Sequence, residues 1–222
     1  MAPGREVMSE KTGIKEFNAV IAGVGGQGNL LASEILATAA VKVGHRVRVG
    51  ETFGAAQRGG PVASYIRVGS EVYSPILDPG RADLVVGFEP AEGLRNAVSF
   101  MRSGGAVVLN SKPIIPTSVS MGIDKYPSIE EIVEALRRMK AETIIVFDAT
   151  AEAERIGNVI VMNIVMLGAM AGSGVLPFSA ETLKEVIKER LTGPLLDMNL
   201  KAFDAGLTMS EKHKEVRKLK RF

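Results

Sequence analysis

Apolar positions along the chain follow two periods that alternate. Residues 18–23, in which Asn18 leads into the apolar run Ala19-Val20-Ile21-Ala22, carry the pattern of a strand buried on both faces. From residue 29 to 43, Leu30, Leu31, Ile35, Leu36 and Ala39 recur at helical spacing until Gly44 stops them. Residues 46–49 predict a short second strand, and strand, helix, strand in this order predicts a parallel pair with a right-handed crossover. Residues 62–68 form a β-branched strand, and Gly69-Ser70 ahead of Val72-Tyr73-Ser74 predicts a two-residue hairpin at an antiparallel edge.

The alternation continues with a buried strand over 82–88, broken by Glu89-Pro90. A helix over 91–101 then carries Leu94, Ala97, Val98 and Met101 on one side. Ser103-Gly104-Gly105 stops it, 106–110 is the next strand, and 112–127 is a proline-punctuated connection too irregular for a regular element. Ser128 caps a helix to about residue 140, with Glu130 and Glu131 in its first turn, and 142–147 is a further strand. Beyond Asp148 the pattern is helical only, over 149–157, 159–171, 180–191 and 195–206, which predicts a helical layer over the sheet or a partner.

The expected fold class is therefore α/β: a doubly wound, mostly parallel, Rossmann-like sheet with an antiparallel hairpin at one edge and C-terminal helices. It forms one domain over 17–210, between a loose leader (1–16) and a basic tail (211–222).

Composition narrows the chemistry. Of 222 residues, 46% are hydrophobic and 23% charged, the balance of a folded domain able to bury a core. A net charge of +2, with Lys and Arg dispersed outside the tail, gives no nucleic-acid footprint. The tail's Lys212, Lys214, Arg217, Lys218, Lys220 and Arg221 read as a solvated end. Cysteine is absent, which excludes disulfides, thiolate metal sites, iron–sulfur clusters and a cysteine nucleophile on this chain. The two histidines, His45 and His213, lie far apart, so no metal site and no catalytic residue is expected. No signal peptide opens the sequence, and its longest apolar stretch, 159–170, is interrupted by Asn163 and Gly168. The expected location is cytoplasmic, with no membrane partner.

The candidate site lies in the glycines. Gly23, Gly25 and Gly28, with Gly26 and Gln27 between them, satisfy G-x-G-x-x-G after a strand and before a helix. Glu51 follows 23 residues after Gly28, where a dinucleotide-binding acid is expected. Tight turning and close packing need the same glycines without any ligand. A second stretch, Gln57-Arg58-Gly59-Gly60, sets a guanidinium beside open backbone, suited to phosphate or carboxylate; an internal pair with Glu51 or Glu89 is the alternative. Glu89 and Asn110 end strands on the edge where open α/β sheets bind ligands, although Glu89 also reads as a helix cap. Asn158, Asn163 and Asn199 read as internally satisfied amides, and Met162, Met166 and Met170 as core or interface.

These glycine motifs, with Tyr65-Ile66-Arg67, resemble the gamma domain of the 2-oxoacid:ferredoxin oxidoreductases. Ala82-Asp83-Leu84, Glu89-Pro90-Ala91-Glu92-Gly93-Leu94-Arg95, the Asn110 and Pro116 region, Tyr126-Pro127, and Asn163-Ile164-Val165-Met166-Leu167-Gly168 are similar to the indolepyruvate ferredoxin oxidoreductase beta subunits within that family. The likeness runs over 18–206. It implies a subunit that is not active alone, whose large alpha partner carries thiamine diphosphate and iron–sulfur clusters. The assembled enzyme is expected to decarboxylate aryl pyruvates oxidatively, passing the acyl group to coenzyme A and electrons to ferredoxin. On that reading the glycine loops and Arg58 meet coenzyme A. The alternatives are an independent NAD- or FAD-dependent oxidoreductase using Gly23, Gly25, Gly28 and Glu51, or a purely structural scaffold.

Overall fold

The computed structural model describes residues 13–54 and 59–217. A seven-stranded sheet runs in the order β2-β3-β1-β4-β5-β6-β7. In chain order the elements are β1 (Phe17–Val24), α1 (Asn29–Lys42), β2 (Val47–Phe53), β3 (Pro61–Val68), β4 (Ala82–Gly87), α2 (Pro90–Phe100) and β5 (Met101–Asn110). There follow α3 (Thr117–Ser120), α4 (Ile129–Arg138), β6 (Thr143–Phe147), α5 (Ala149–Ile156), a 3-10 turn (Val159–Val161), α6 (Met162–Gly172), α7 (Ala180–Arg190), α8 (Pro194–His213) and β7 (Lys214–Val216).

Strands β1, β4, β5 and β6 pair in parallel, and every residue of β1 is buried. Their side chains alternate between two cores, as a pleat of period two requires. Ile21, Leu84, Val86, Val108 and Ile145 face the core beneath α1 and the C-terminal helices, while Val20, Val85, Val107 and Ile144 face the one beneath α2 and α4. The doubly wound class is thus observed.

Strand pairing departs from the sequence reading on one side. The expected β1–β2 neighbours are parallel in direction but not paired, because β3 enters between them and is antiparallel to both. The antiparallel hairpin at the edge is β2–β3. Residues 72–74, expected as its second strand, form no strand. Arg67 explains the difference: Nη1 donates to the carbonyls of Ser74 (3.0 Å) and Ile76 (2.6 Å), capturing that backbone in a loop. A strand after the last helix was not expected either. Lys214–Val216 pairs antiparallel with β6, and Glu215 forms a two-pronged bond to Arg137 (Nε–Oε1 3.0 Å, Nη2–Oε2 2.6 Å). The first part of the basic stretch is therefore the end of α8 and a sheet edge.

Two packing devices hold this arrangement. α6 and α8 touch backbone to backbone: a Cβ on Gly206 would stand 1.9 Å from the Val165 carbonyl oxygen, and one on Gly168 would stand 2.0 Å from that of Phe203. At the other end of β1, Glu16 gathers Asn18 Nδ2 (2.9 Å), Arg67 Nη2 (2.8 Å) and Arg81 Nη2 (2.5 Å), so the last residue of the expected loose leader is tied to the sheet. The Asn18 hydrogen bond first, then those of Arg67 and Arg81, outweigh partial burial and hold the Glu16 carboxyl down at about 2.

Two expectations follow from these devices. Alanine is favoured over glycine in a helix by roughly 0.5–1 kcal/mol, yet Gly206→Ala collides with fixed backbone. Overpacking of this kind costs about 1–3 kcal/mol, which thermal denaturation will show as a melting point lower by roughly 2–4 °C per kcal/mol. Because Glu16 ionises more readily in the folded than in the unfolded chain, its contribution is complete above the ordinary carboxylate range and is lost as pH falls through that range toward about 2. Urea titrations across pH 2–5 should therefore show a shallower acid loss of stability in Glu16→Gln than in the wild type.

Candidate functional site

β1 and β4 are neighbours, but α1 packs on one face of the sheet and α2 on the other. The chain thus diverges at their carboxyl ends, the crevice where open α/β sheets bind ligands. The first glycine stretch occupies this place. Gly26 (φ 104°) and Gly28 (φ 83°) take left-handed conformations that a side chain rarely adopts, and Gly28 is the N-cap of α1 with no side-chain cap. The first turn of α1 therefore presents backbone N–H groups and the positive end of its dipole. Gln27 does not face a ligand: Oε1 accepts from Val24 N (2.7 Å) and Nε2 donates to the Phe88 carbonyl (3.0 Å), tying the turn to the end of β4. Gly23 is needed for close approach, since a Cβ there would lie 2.6 Å from Gln27 Oε1 and 3.0 Å from Phe88 Cβ.

The β2–β3 hairpin brings the second glycine stretch to the same end, because Pro61 is opposite Val24 and Phe53 opposite Val62. Two backbone bonds join the stretches: Gly25 N–H donates to the Gly60 carbonyl (2.9 Å), and Gly59 N–H to that of Gly25 (3.4 Å). Gln57 and Arg58 lie outside the described residues. A cavity of about 640 Å³ opens here, walled by Gly25, Gly28, Asn29, Phe53, Val62 and Ser64 among others. Gly26 also lines it, whereas Gly59 lines a neighbouring cavity of about 550 Å³ with Pro61, Glu89, Glu92, Arg95 and Tyr126.

Glu89 and Asn110 turn out to brace the crevice. Glu89 is 2% exposed and caps α2: its carboxylate accepts from Glu92 N (2.9 Å), Ile114 N (3.4 Å) and the Tyr126 hydroxyl. Tyr126 in turn accepts from Ala91 N (3.1 Å), so one carboxylate and one phenol strap the 112–127 connection to the start of α2. Burial, and then the bond to Glu89, raise the Tyr126 hydroxyl well above the usual phenol range. Burial likewise raises the Glu92 carboxyl against the lowering pull of Arg95. Asn110 is fully buried. Nδ2 donates to the Phe88 carbonyl (3.1 Å) and Thr150 Oγ1 (3.0 Å), while Oδ1 accepts from Ala149 N (3.0 Å) and Lys112 N (3.2 Å). Its hydrogen-bonding capacity is used up, so the expected ligand role is replaced by a structural one.

Glu51 is displaced from its expected role as well. It sits on β2, with β3 between it and β1, roughly 10 Å or two strand spacings away instead of one. Its distance from the glycine turn removes the acid that a dinucleotide ribose requires. Asn158 and Asn199 are internally bonded as expected, to Ile160 N (3.0 Å) and the Leu195 carbonyl (2.7 Å). Asn163 is buried against Gly28, where a Cβ would meet its Nδ2 at 2.4 Å. Met162, Met166 and Met170 are core. Asn29 and Phe53 as cavity walls went unnoticed in the sequence; the signal for Asn29 was its place directly after the last glycine of the turn.

The described residues hold no group of three or more His, Asp or Glu arranged to bind a metal, and no helix among them is long and apolar enough to cross a membrane. What the crevice offers is a set of fixed N–H donors beside an apolar cavity, an arrangement for holding a ligand with an anionic end.

Known proteins share this fold. A family described as pyruvate ferredoxin/flavodoxin oxidoreductase matches residues 18–209. Indolepyruvate oxidoreductase subunit IorB of Pyrococcus horikoshii is 44% identical over 194 residues, covering 87% of this chain and 96% of that one. Among solved structures, the gamma subunit of a keto/oxoacid ferredoxin oxidoreductase from Geobacter sulfurreducens superposes with a TM-score of 0.67 at 24% identity, over 90% of this chain and 99% of that one. A 2-oxoglutarate:ferredoxin oxidoreductase from Magnetococcus marinus, solved with 2-oxoglutarate, coenzyme A and succinyl-CoA bound, gives 0.65 at 24% identity, over 89% of this chain and 31% of that one. By a match that spans nearly the whole folded unit, and by relatives of nearly the same length, the chain belongs to the pyruvate ferredoxin/flavodoxin oxidoreductase family.

Proposed function

We propose that this chain is the small subunit of an indolepyruvate ferredoxin oxidoreductase, and that its joined glycine loops hold part of coenzyme A while chemistry proceeds on a larger partner. The observation that carries the reading is the Gly25–Gly60 and Gly59–Gly25 backbone bridge, which sets the uncapped start of α1 beside a cavity of about 640 Å³. Pockets of a few hundred Å³ with apolar walls and a few fixed donors are the usual form of cofactor and co-substrate sites. The backbone donors of α1 suit phosphate oxygens, and Phe53 and Val62 suit the uncharged part of such a molecule. Arg58, beside this loop in sequence, is a further proposed contact.

The absence of cysteine supports a division of labour. This chain has no ligands for an iron–sulfur cluster, so electron transfer to ferredoxin belongs to the partner, as does thiamine diphosphate on this reading. Decarboxylation of the aryl pyruvate is assigned there too. The contribution of this chain is to bind and orient the thiol-bearing co-substrate, an effect that lowers the barrier through positioning and not through a reacting group.

Mixing tests the assignment. Purified large subunit should reduce ferredoxin in a coenzyme A-dependent way with indolepyruvate only when this chain is added; full activity without it would overturn the proposal. A Gly28→Ala subunit strains a left-handed position and drives a Cβ into Asn163. In the reassembled enzyme its KM for coenzyme A should rise by about tenfold, equivalent to roughly 1.4 kcal/mol, more than the KM for the 2-oxo acid. Calorimetry of the subunit with NAD or FAD separates the dinucleotide reading, which requires tight binding where we expect none.

A further inference from the structure

Strand β2 is an outer edge of the sheet: β3 pairs with it on one side, and among the described residues no strand pairs on the other. Which of its backbone groups stay open follows from the ladder. Gly69 N–H donates to the Arg46 carbonyl (2.9 Å) and Gly54 N–H to that of Pro61 (3.0 Å), so hydrogen-bonded pairs with β3 recur at every second residue from 46 to 54. Val47, Val49, Glu51 and Phe53 therefore turn their N–H and C=O groups outward. Natural sheets blunt such an edge with proline, lysine or a bulge. Val47–Phe53 contains neither residue, and its register with β3 is unbroken. Arg48 folds back onto the Val47 and Tyr73 carbonyls (2.8 and 3.3 Å). Exposed apolar side chains flank the edge on both faces. Val49 and Phe53 lie on one, while Tyr73 and Ile76 belong to the loop whose Pro75 packs on the other, 3.1 Å from where a Gly50 Cβ would stand.

We propose that β2 is a pairing surface for a second copy of this chain, joined antiparallel about a two-fold axis at Gly50 into one continuous sheet. The strand is complementary to itself in that register. Each Val49 exchanges N–H and C=O with Glu51 of the second copy, Val47 meets Phe53, and Arg48 faces Thr52, so all seven residues overlap and no like charges stand opposite. An axis at residue 51 would set Glu51 against Glu51, and one at residue 49 would leave Phe53 facing His45, outside the strand. The pairing also reaches the crevice: Phe53 lines the larger cavity yet is 64% exposed, and Val47 of the second copy covers it. The pairing does not depend on the coenzyme A reading.

Native mass spectrometry and sedimentation of the full-length chain should show a species of twice 23.6 kDa whose fraction rises with concentration. Val49→Lys sets a charge on the edge and should raise the dimer dissociation constant at least tenfold while keeping the circular dichroism of the wild type. Because the chain has no cysteine, introduced thiols report the register. Under oxidation, Val49→Cys mixed with Glu51→Cys should cross-link one chain to the other. Each variant alone should not, since equivalent residues two places off register stand more than about 7 Å apart, beyond a disulfide's reach. In hydrogen exchange, the Val49 and Glu51 amides should become protected only as the dimer forms. A chain that stays monomeric at every concentration would overturn the inference, as would a dimer that survives Val49→Lys and gives no mixed cross-link. Edge amides protected in the monomer would assign the edge to another segment of this chain. Protection that appears only when the large subunit is added would assign it to that partner, and either result would also overturn the inference.

Discussion

The antiparallel ladder between β1 and β3 is the constraint from which the functional end of this protein follows. Because β3 runs back along β1 from Pro61 to Val68, the β2–β3 loop has to emerge where β1 ends, and both glycine stretches meet there. The bridge from Gly25 to Gly59 and Gly60 extends that ladder by a further step. A hairpin placed elsewhere on the sheet would leave the first glycine turn as an ordinary strand-to-helix connection. The same insertion moves β2 and Glu51 one strand outward, which is why a sequence that satisfies a dinucleotide spacing does not build the corresponding site.

Around the crevice the polar residues divide by how fully they are satisfied. Gln27, Glu89, Tyr126 and Asn110 spend their hydrogen bonds on backbone and on one another, joining the ends of β1, β4 and β5 to the 112–127 connection. Such closed networks fix geometry, because breaking any member leaves a buried group unpaired. They supply the rigid rim against which the backbone donors of α1 are held. Asn29 is the exception inside that rim: among the described residues its buried amide has no hydrogen-bond partner.

Away from the crevice, stability rests on close contact. The α6–α8 pair approaches so closely that a Cβ on Gly168 or Gly206 would collide with a carbonyl oxygen of the other helix, and both helices add side chains to the core beneath one face of the sheet. Opposite the glycine turn, Glu16 with Arg67 and Arg81 fastens the start of β1. The crevice between these anchored regions is therefore shaped by elements that have little freedom to move, a condition for a site built mainly of glycine backbone.

The sequence by itself determined the alternation of strands and helices, the caps at Ser128 and Glu89, the buried methionine stripe, the exclusion of iron–sulfur ligands and the family likeness. These are local or compositional properties, carried by periodicity, cap chemistry and side-chain type within a few residues. Only the tertiary structure decided which strands are neighbours, that Lys214–Val216 joins the sheet, and which polar residues at the crevice are consumed by the fold. Strand order follows from long-range pairing, and two strands adjacent in sequence carry no local record of a third that slips between them. Satisfaction of an amide is likewise a matter of what stands a few ångströms away: Asn110 and Asn29 are the same residue type in similar sequence positions, after a strand and at a turn, and among the described residues the fold answers one with four partners and the other with none.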